Sequence, residues 1–226
     1  MLLLLAPPVL AGDDMPEFQP AQGLENPTLG MGLNGISDWS TQHPFIDLMK
    51  TARPWIGHLP GQWGGMDADE LVARGVLDRC GWPKSIPDKV THLETLILTN
   101  QPEAAIGLIG RYRLSFKGSG TITVTGRAQN IRASGKEIEV DFTPGEGLIG
   151  IAISATDPVQ TGDYIRDISV VRVENIPLFE VGAIFNPDWF KHVRDLRLVR
   201  FMDWMQTNGS ISKSWQDRAL PQHYPY

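Results

Sequence analysis

Six short segments in the middle of the chain alternate apolar and polar residues with a period of two, and this alternation constrains the fold most strongly. It is clearest in the runs Tyr112–Phe116 and Ile138–Phe142. Turn-forming clusters of Gly, Pro, Ser and Asp separate the segments, and no helix-length pattern interrupts them. We therefore expect antiparallel sheets. The predicted strands are Leu93–Leu98, Gly110–Lys117, Thr121–Thr125, Glu137–Phe142, Leu148–Ala155 and Ile165–Val173.

The composition agrees with a folded, mainly β chain. Of the 226 residues 42% are hydrophobic, which is enough for a core, and the 23 Gly and 17 Pro residues indicate many turns. We predict an antiparallel β-sandwich, jelly-roll or galactose-binding-like, over residues 90–180 with short flanking helices. A complete (β/α)₈ barrel needs about 250 residues, so only part of a barrel is compatible with this length.

The charges and reactive residues exclude several classes of function. The net charge is −6 and no segment is strongly basic, so no nucleic-acid partner is expected. The single cysteine, Cys80, cannot form an intramolecular disulfide and is expected to be buried. The histidines and serines match no metalloprotease, serine-hydrolase or phosphate-loop motif, so we predict no metal site from spacing. Calcium between the acidic turns at Asp157 and Asp163 is an open alternative to ordinary solvated carboxylates.

The first residues resemble an export signal. Residues 1–12 are apolar and end in small residues, which is typical of a signal peptide, although a positively charged start is missing. The segment is too short to span a membrane as a helix. Residues 13–30 are polar and rich in Pro and Gly, as in a linker. We expect a secreted protein, extracellular or periplasmic.

Two flanks surround the predicted sandwich. The first, residues 31–89, is a loop-rich leader expected to pack on the sandwich or on a barrel. Its patterns predict a strand at Gly32–Ile36 and helices at Pro44–Ala52 and Asp67–Arg74. The second flank, the tail, comprises residues 181–226, where a helix at 186–194 and an apolar strand at Leu198–Met202 are expected.

All seven tryptophans lie in these flanks. Exposed tryptophan beside polar groups suits sugar binding, because the apolar face of a pyranose stacks on the ring while its hydroxyls need polar partners. Core packing is the alternative interpretation for each ring. The tryptophans predicted to bind substrate are Trp39, Trp55, Trp82 and Trp204.

The leader also contains charged groups at three-residue steps. Asp47, Lys50 and Arg53 would lie on roughly one face of a helix, so we predict that they bind substrate. An ordinary surface ion pair between Asp47 and Lys50 explains the same spacing.

The tail places polar residues directly after its apolar strand, where α/β barrels carry their ligand contacts. Arg200, Trp204 and Asn208 are the predicted binding residues, and Asp203 is the candidate catalytic carboxylate. A glycosidase needs a second carboxylate, which the sequence does not identify, and a structural hydrogen bond is the alternative role of Asp203.

Several motifs together resemble the N-terminal part of large secreted bacterial proteins of glycoside-hydrolase-like type. They are GLNGISDWSTQHPFIDLMKTARPW, LDRCGWPKSIP, YIRDISVVR and FNPDWF followed by LRLVRFMDWMQTNGS. The resemblance covers nearly all of residues 31–226. It implies a β-sandwich followed by a (β/α)₈ barrel whose first strand ends in RFMDWMxTN. Residues 181–226 would then be the start of a barrel cut after its first strand, with Arg200, Asp203, Trp204 and Asn208 at its mouth.

Three functions follow as hypotheses. The first is an exported carbohydrate-binding-like sandwich portion of a glycoside-hydrolase-like protein that acts on polysaccharide or oligosaccharide. The alternative is a cell-surface structural or adhesion module without glycan specificity. The third is glycoside hydrolysis by a complete barrel, with Asp203 and a later acid, so that this chain alone is inactive.

Overall fold

The computed structural model describes residues 30–210 and 212–224, so the predicted signal-like segment and residues 13–29 of the predicted linker lie outside it. The chain is mainly β, with 34% strand and 16% helix. No helix in these ranges is long and apolar enough to cross a membrane.

All six predicted strands are present, each within one residue of the expected ends. The strands of the described chain are β1 (Gly30–Gly32), β2 (Ile56–His58), β3 (Gly65–Met66), β4 (His92–Ile97), β5 (Gly110–Lys117), β6 (Gly120–Gly126), β7 (Gln129–Ser134), β8 (Glu137–Phe142), β9 (Ile149–Thr156), β10 (Arg166–Arg172) and β11 (Leu198–Arg200).

Most strands belong to two antiparallel sheets. One has the order β10-β5-β8-β7 and the other the order β3-β2-β4-β9-β6. In the first sheet, Leu114 lies opposite both Ile138 and Val170. These side chains share one buried cluster with Ile151 and Ile153 of the second sheet. The alternation seen in the sequence therefore buries one face of each sheet in a common core.

The sequence prediction missed β2, β3 and β7. All six residues of β7 are exposed, and the strand lies at the edge of the four-stranded sheet. Because it buries no side chain, it leaves no apolar periodicity to detect. β2 and β3 are only three and two residues long, which is too short for a period to appear.

The predicted helix at Pro44–Ala52 is wrong, because the structure has only a 3₁₀ turn at Leu48–Thr51. Phe45 and Asp47 form isolated antiparallel bridges with Phe185 and Val171, and this pairing keeps the preceding backbone extended. The α-helices of the described chain are α1 (Ala68–Ala73), α2 (Ile176–Glu180), which the sequence does not predict, and α3 (Pro187–Val193). Further 3₁₀ turns lie at Ile106–Leu108, Val173–Asn175 and Trp215–Asp217.

α1 begins as expected, because the Asp67 carboxylate accepts the N–H of Glu70 at 2.9 Å. The strand predicted at Gly32–Ile36 lies earlier in the chain, because β1 runs from Gly30 to Gly32. β1 instead pairs in parallel with β11, which is shorter than the predicted Leu198–Met202.

The two flanks contact each other through aromatic rings. Trp204 joins Leu33 and Phe45 in a small second cluster. Tyr224 enters the main core, where its ring lies 5.1 Å from those of Trp55 and Trp82. Cys80 is partly buried against the same core. Leader and tail are thus attached to each other and to the sheets.

Candidate functional site: two tryptophan grooves and a buried carboxyl group

The first groove, called the Trp39 groove, has a volume of about 520 Å³. Trp39 is 59% exposed, and the Arg53 guanidinium lies 5.4 Å from the centre of its ring. Asp38, which is buried, accepts two hydrogen bonds from Arg53, at 3.1 Å from Nε and 2.8 Å from Nη2. This bidentate pair fixes the guanidinium against the ring.

Backbone contacts connect this arrangement to the five-stranded sheet. The Arg53 N–H donates to the carbonyl of Leu96 at 3.0 Å, and the Thr99 N–H donates to the carbonyl of Asp38 at 2.9 Å. The Thr99 hydroxyl also donates to the Asp38 carboxylate. The exposed ring is therefore held by groups anchored at the end of β4 rather than by a free loop.

The second groove, the Trp63 groove, has a volume of about 580 Å³ and shares Arg53 and Pro54 with the first. Trp63 is 64% exposed and lies on the turn between β2 and β3. The turn needs a left-handed residue at Gly64, whose φ is +73°. The Gly64 N–H donates to Nδ1 of His58 at 3.0 Å, and the His58 ring meets that of Trp63 edge-on at 5.5 Å.

Among the described residues, one group of three could hold a metal ion: His58, His92 and Glu94, whose donor atoms lie within 4.8 Å of one another. A metal-bound imidazole normally donates its second N–H to a partner. Nδ1 of His58 instead accepts the Gly64 N–H, which places the proton of the neutral ring on Nε2. That nitrogen lies 3.2 Å from a Glu94 oxygen, with poor alignment for a hydrogen bond.

Burial, and after it the neighbouring His92, lowers the pKa of His58, so the neutral ring is favoured. The His92 ring is stacked on it at 4.4 Å between centres. With Nδ1 accepting and Nε2 protonated, His58 has no lone pair free for a cation. The group therefore supports the Trp63 turn better than it would form a metal centre.

A third concavity, called the Asp47 cavity, has a volume of about 640 Å³. The predicted residues Asp47, Lys50 and Trp82 line it together with strands β5 and β10. Asp47 and Lys50 do not form the ion pair that their spacing allowed. The Asp47 carboxylate accepts the backbone N–H groups of Met49 and Val170, and Lys50 donates to the carbonyls of Pro221 and His223.

The predicted tryptophans have different environments. Trp55 and Trp82 are buried in the main core, and Trp204 is buried in the small cluster of the tail. The Trp55 indole N–H donates to the carbonyl of Gly81 at 3.0 Å. Trp39 is the one predicted tryptophan whose ring is largely exposed. Core packing, the alternative interpretation in the sequence, therefore describes three of the four rings.

The predicted polar residues of the tail do not line either groove or the Asp47 cavity. Arg200, Asp203 and Asn208 are exposed, and the Arg200 guanidinium contacts the sulfur of Met202. The Asp203 carboxylate forms no hydrogen bond within the described chain, so the structural role considered for it has no partner there. Its catalytic role stays a prediction.

In the two acidic turns considered for calcium, the carboxylates of Asp157 and Asp163 already interact with nearby protein groups. Asp157 accepts the backbone N–H groups of Thr161 and Gly162, both at 2.8 Å. Asp163 accepts from the Ser119 hydroxyl and pairs with Arg166. Calcium binding stays a prediction.

Sequence reasoning left two residues out of the candidate site, Asp38 and Trp63. The signal for Trp63 was present, because the run Gly61-Gln62-Trp63-Gly64-Gly65 places an aromatic residue in a glycine-rich turn, where little can cover it. Asp38 carries no such signal, since its pairing with Arg53 depends on how the leader folds.

Comparison with known protein families, curated proteins and solved structures found no match to this chain.

Proposed function

We propose that the chain binds carbohydrate through the Trp39 and Trp63 grooves. The observation that carries this proposal is that two exposed tryptophans line two grooves which share Arg53 and Pro54. The apolar faces of pyranose rings stack well on exposed aromatic rings of this size.

Polar groups around the rings suit sugar hydroxyls. Ser37 and Gln206 line the Trp39 groove, and Asp67 and Glu70 line the Trp63 groove. The charge of Arg53 is already matched by Asp38, and the ammonium of Lys50, which also lines the Trp39 groove, donates to two backbone carbonyls. A ligand carboxylate would therefore find no uncompensated cation at Arg53, and we expect neutral polysaccharides or oligosaccharides rather than acidic ones. Two aromatic platforms favour a ligand of several sugar units.

The finer architecture is part of the same proposal. Two antiparallel sheets that share one core are compatible with a sandwich of jelly-roll or galactose-binding-like type. The parallel pair of β1 with β11 is compatible with the start of a barrel in the tail. In this proposal the protein is exported, and the groove-bearing part delivers a glycoside-hydrolase-like protein to polysaccharide.

The test is affinity electrophoresis and calorimetry of the full chain against a panel of neutral and acidic polysaccharides. Trp39→Ala and Trp63→Ala should each weaken binding about tenfold or more, as expected for an aromatic contact at the centre of a binding surface. Trp215→Ala is the matched control, because Trp215 is 74% exposed and also carries an arginine over its ring, Arg218 at 4.2 Å.

No binding to any glycan at millimolar concentration, or an equal loss in the Trp215→Ala control, would overturn the proposal. The structural or adhesion alternative has one observation in its favour. A groove of about 360 Å³ in the tail is lined by apolar side chains alone, Phe190, Phe201 and Met205 among them. A chain that binds no glycan but associates through this groove would favour that alternative.

A further inference from the structure

The Asp47 cavity is formed where several distant parts of the chain meet. Its floor comes from β5 and β10, and its walls come from the 3₁₀ turn of the leader, Trp82, α2 with the segment after it, and the chain around Pro221. Apolar side chains dominate the lining, including Phe116, Phe179 and Ile184. Cavities of this size, mostly apolar with a few polar groups, are typical of small-molecule sites.

Most charged groups in this lining already have partners. Lys50 donates to two backbone carbonyls, that of His223 at 2.7 Å and that of Pro221. Lys117 pairs with Asp167 at 3.0 Å. These three groups and Asp47 are the charged residues of the lining.

Asp47 differs from the other three. Its side chain is buried, with 8% of the residue exposed, and both of its hydrogen bonds are accepted by Oδ1, from Met49 at 3.0 Å and Val170 at 2.9 Å. Oδ2 accepts none within the described chain. The positive charge of Lys50 favours the ionised carboxylate, but its ammonium donates to backbone carbonyls and forms no ion pair with Asp47. A buried carboxylate without a directly paired cation is costly, so it either takes up a proton or attracts a cation.

Burial raises the pKa of Asp47 to about 6, which leaves the carboxyl ionised at neutral pH and protonated in mild acid. The carboxyl group would attract a cation into the cavity only when it is ionised. An inorganic cation would find one carboxylate without an ion pair and a mostly apolar wall, whereas an organic cation would use both.

We propose that the Asp47 cavity binds a small organic amine, with its ammonium group on Oδ2 of Asp47 and its apolar body against Phe116, Phe179 and Ile184. The cavity shares Lys50 with the Trp39 groove, but neither tryptophan groove contains Asp47. It adds a second ligand to the proposed carbohydrate binder and does not depend on it.

The experiment uses the full chain and two probes of the same shape, benzylamine and the neutral benzyl alcohol. Binding is followed by amide chemical shifts and calorimetry between pH 5 and pH 7.5. Benzylamine should bind about tenfold more tightly than benzyl alcohol at pH 7.5, and its affinity should fall as the pH drops through about 6. The affinity of the alcohol should change little over this range.

Asp47→Asn keeps an oxygen that can accept the N–H groups of Met49 and Val170, but it removes the negative charge. The variant should therefore bind benzylamine and benzyl alcohol with equal affinity. Asp141→Asn, which removes a carboxylate of the four-stranded sheet outside the cavity, is the control that should preserve the difference between the probes. Equal affinity for amine and alcohol in the unmodified chain would overturn the proposal, as would unchanged amine binding in Asp47→Asn.

If Asp47→Asn does not fold, the pH series of the unmodified chain decides, because amine affinity that is constant from pH 5 to pH 7.5 would overturn the proposal. Trp39→Ala separates this site from the proposed carbohydrate function, since it should weaken glycan binding and leave the amine bound.

Discussion

The two sheets and the tail contain similar apolar residues but bury them to different degrees. Ile151 and Ile153 of β9 are completely buried, whereas Phe185 and Phe201 of the tail are 47% and 44% exposed. β9 pairs with strands on both sides, and its inward face meets the other sheet. β1 and β11 are three residues each and pair only with each other. Apolar content therefore makes a core only where strands are long enough to stack in layers.

The tail nevertheless has one strong attachment to the main core. Tyr224 lies between the rings of Trp55 and Trp82, and its hydroxyl bonds with Thr95 and the carbonyl of Arg53. The tail is thus attached near its last described residue and at β11, while much of the segment between these points is exposed. We expect the two regions to differ in stability accordingly.

The largest effect is expected in the main core. Ile151→Ala removes a completely buried side chain at the centre of β9 and leaves a cavity between the sheets. The free energy of unfolding should fall by about 2–5 kcal/mol. Urea unfolding followed by far-ultraviolet circular dichroism measures this loss. A loss below about 1 kcal/mol would mean that the shared core of the two sheets is not the main source of stability.

A smaller effect is expected at the junction of leader and sheet, where Asp47 meets β10. Its pKa is raised by burial from 3.8 to about 6, so the folded state holds this proton more strongly than the unfolded chain. The Asp47 contribution to the free energy of unfolding should therefore fall as pH rises from about 4 to about 6, and then level off. The fall is on the order of 1–3 kcal/mol.

Urea unfolding of the unmodified chain and of Asp47→Asn at several pH values isolates this contribution, because the variant has no carboxyl group to titrate at this position. The difference in the free energy of unfolding between the two proteins should change from about pH 4 to about pH 6 and stay constant above pH 6. Parallel pH profiles would show that the junction is open to water in the folded state.

The smallest effect on global unfolding is expected in the tail. Trp204→Ala removes the indole ring that packs against Leu33 and Phe45 in the small cluster, which is separate from the main core. The free energy of the main unfolding transition should fall by less than about 0.5 kcal/mol, while hydrogen exchange of the β1 and β11 amides becomes much faster. A loss as large as that of Ile151→Ala would show that sheets and tail unfold as one unit.

The candidate site could be predicted in part. The sequence predicts Trp39 as a sugar-stacking ring and Lys50 and Arg53 as binding residues by their spacing, and all three line one groove. The shared helix face predicted for Lys50 and Arg53 is wrong, since the segment forms only a 3₁₀ turn. The buried Asp38 holds Arg53 next to Trp39 through two hydrogen bonds. The two paired residues are fifteen positions apart in irregular chain, so their pairing leaves no periodic pattern in the sequence.

The amino-acid sequence by itself determined where the long strands run, because a strand that is buried on one face must alternate apolar and polar side chains. It also determined the start of α1, because the capping carboxylate of Asp67 is local. The tertiary structure decided what local patterns do not encode. It fixed β7 at an exposed edge, buried Trp55 and Trp82 while exposing Trp39 and Trp63, and left Asp47 without an ion pair at the wall of a cavity. These outcomes depend on which distant segments meet, and that is set by the packing of the whole chain.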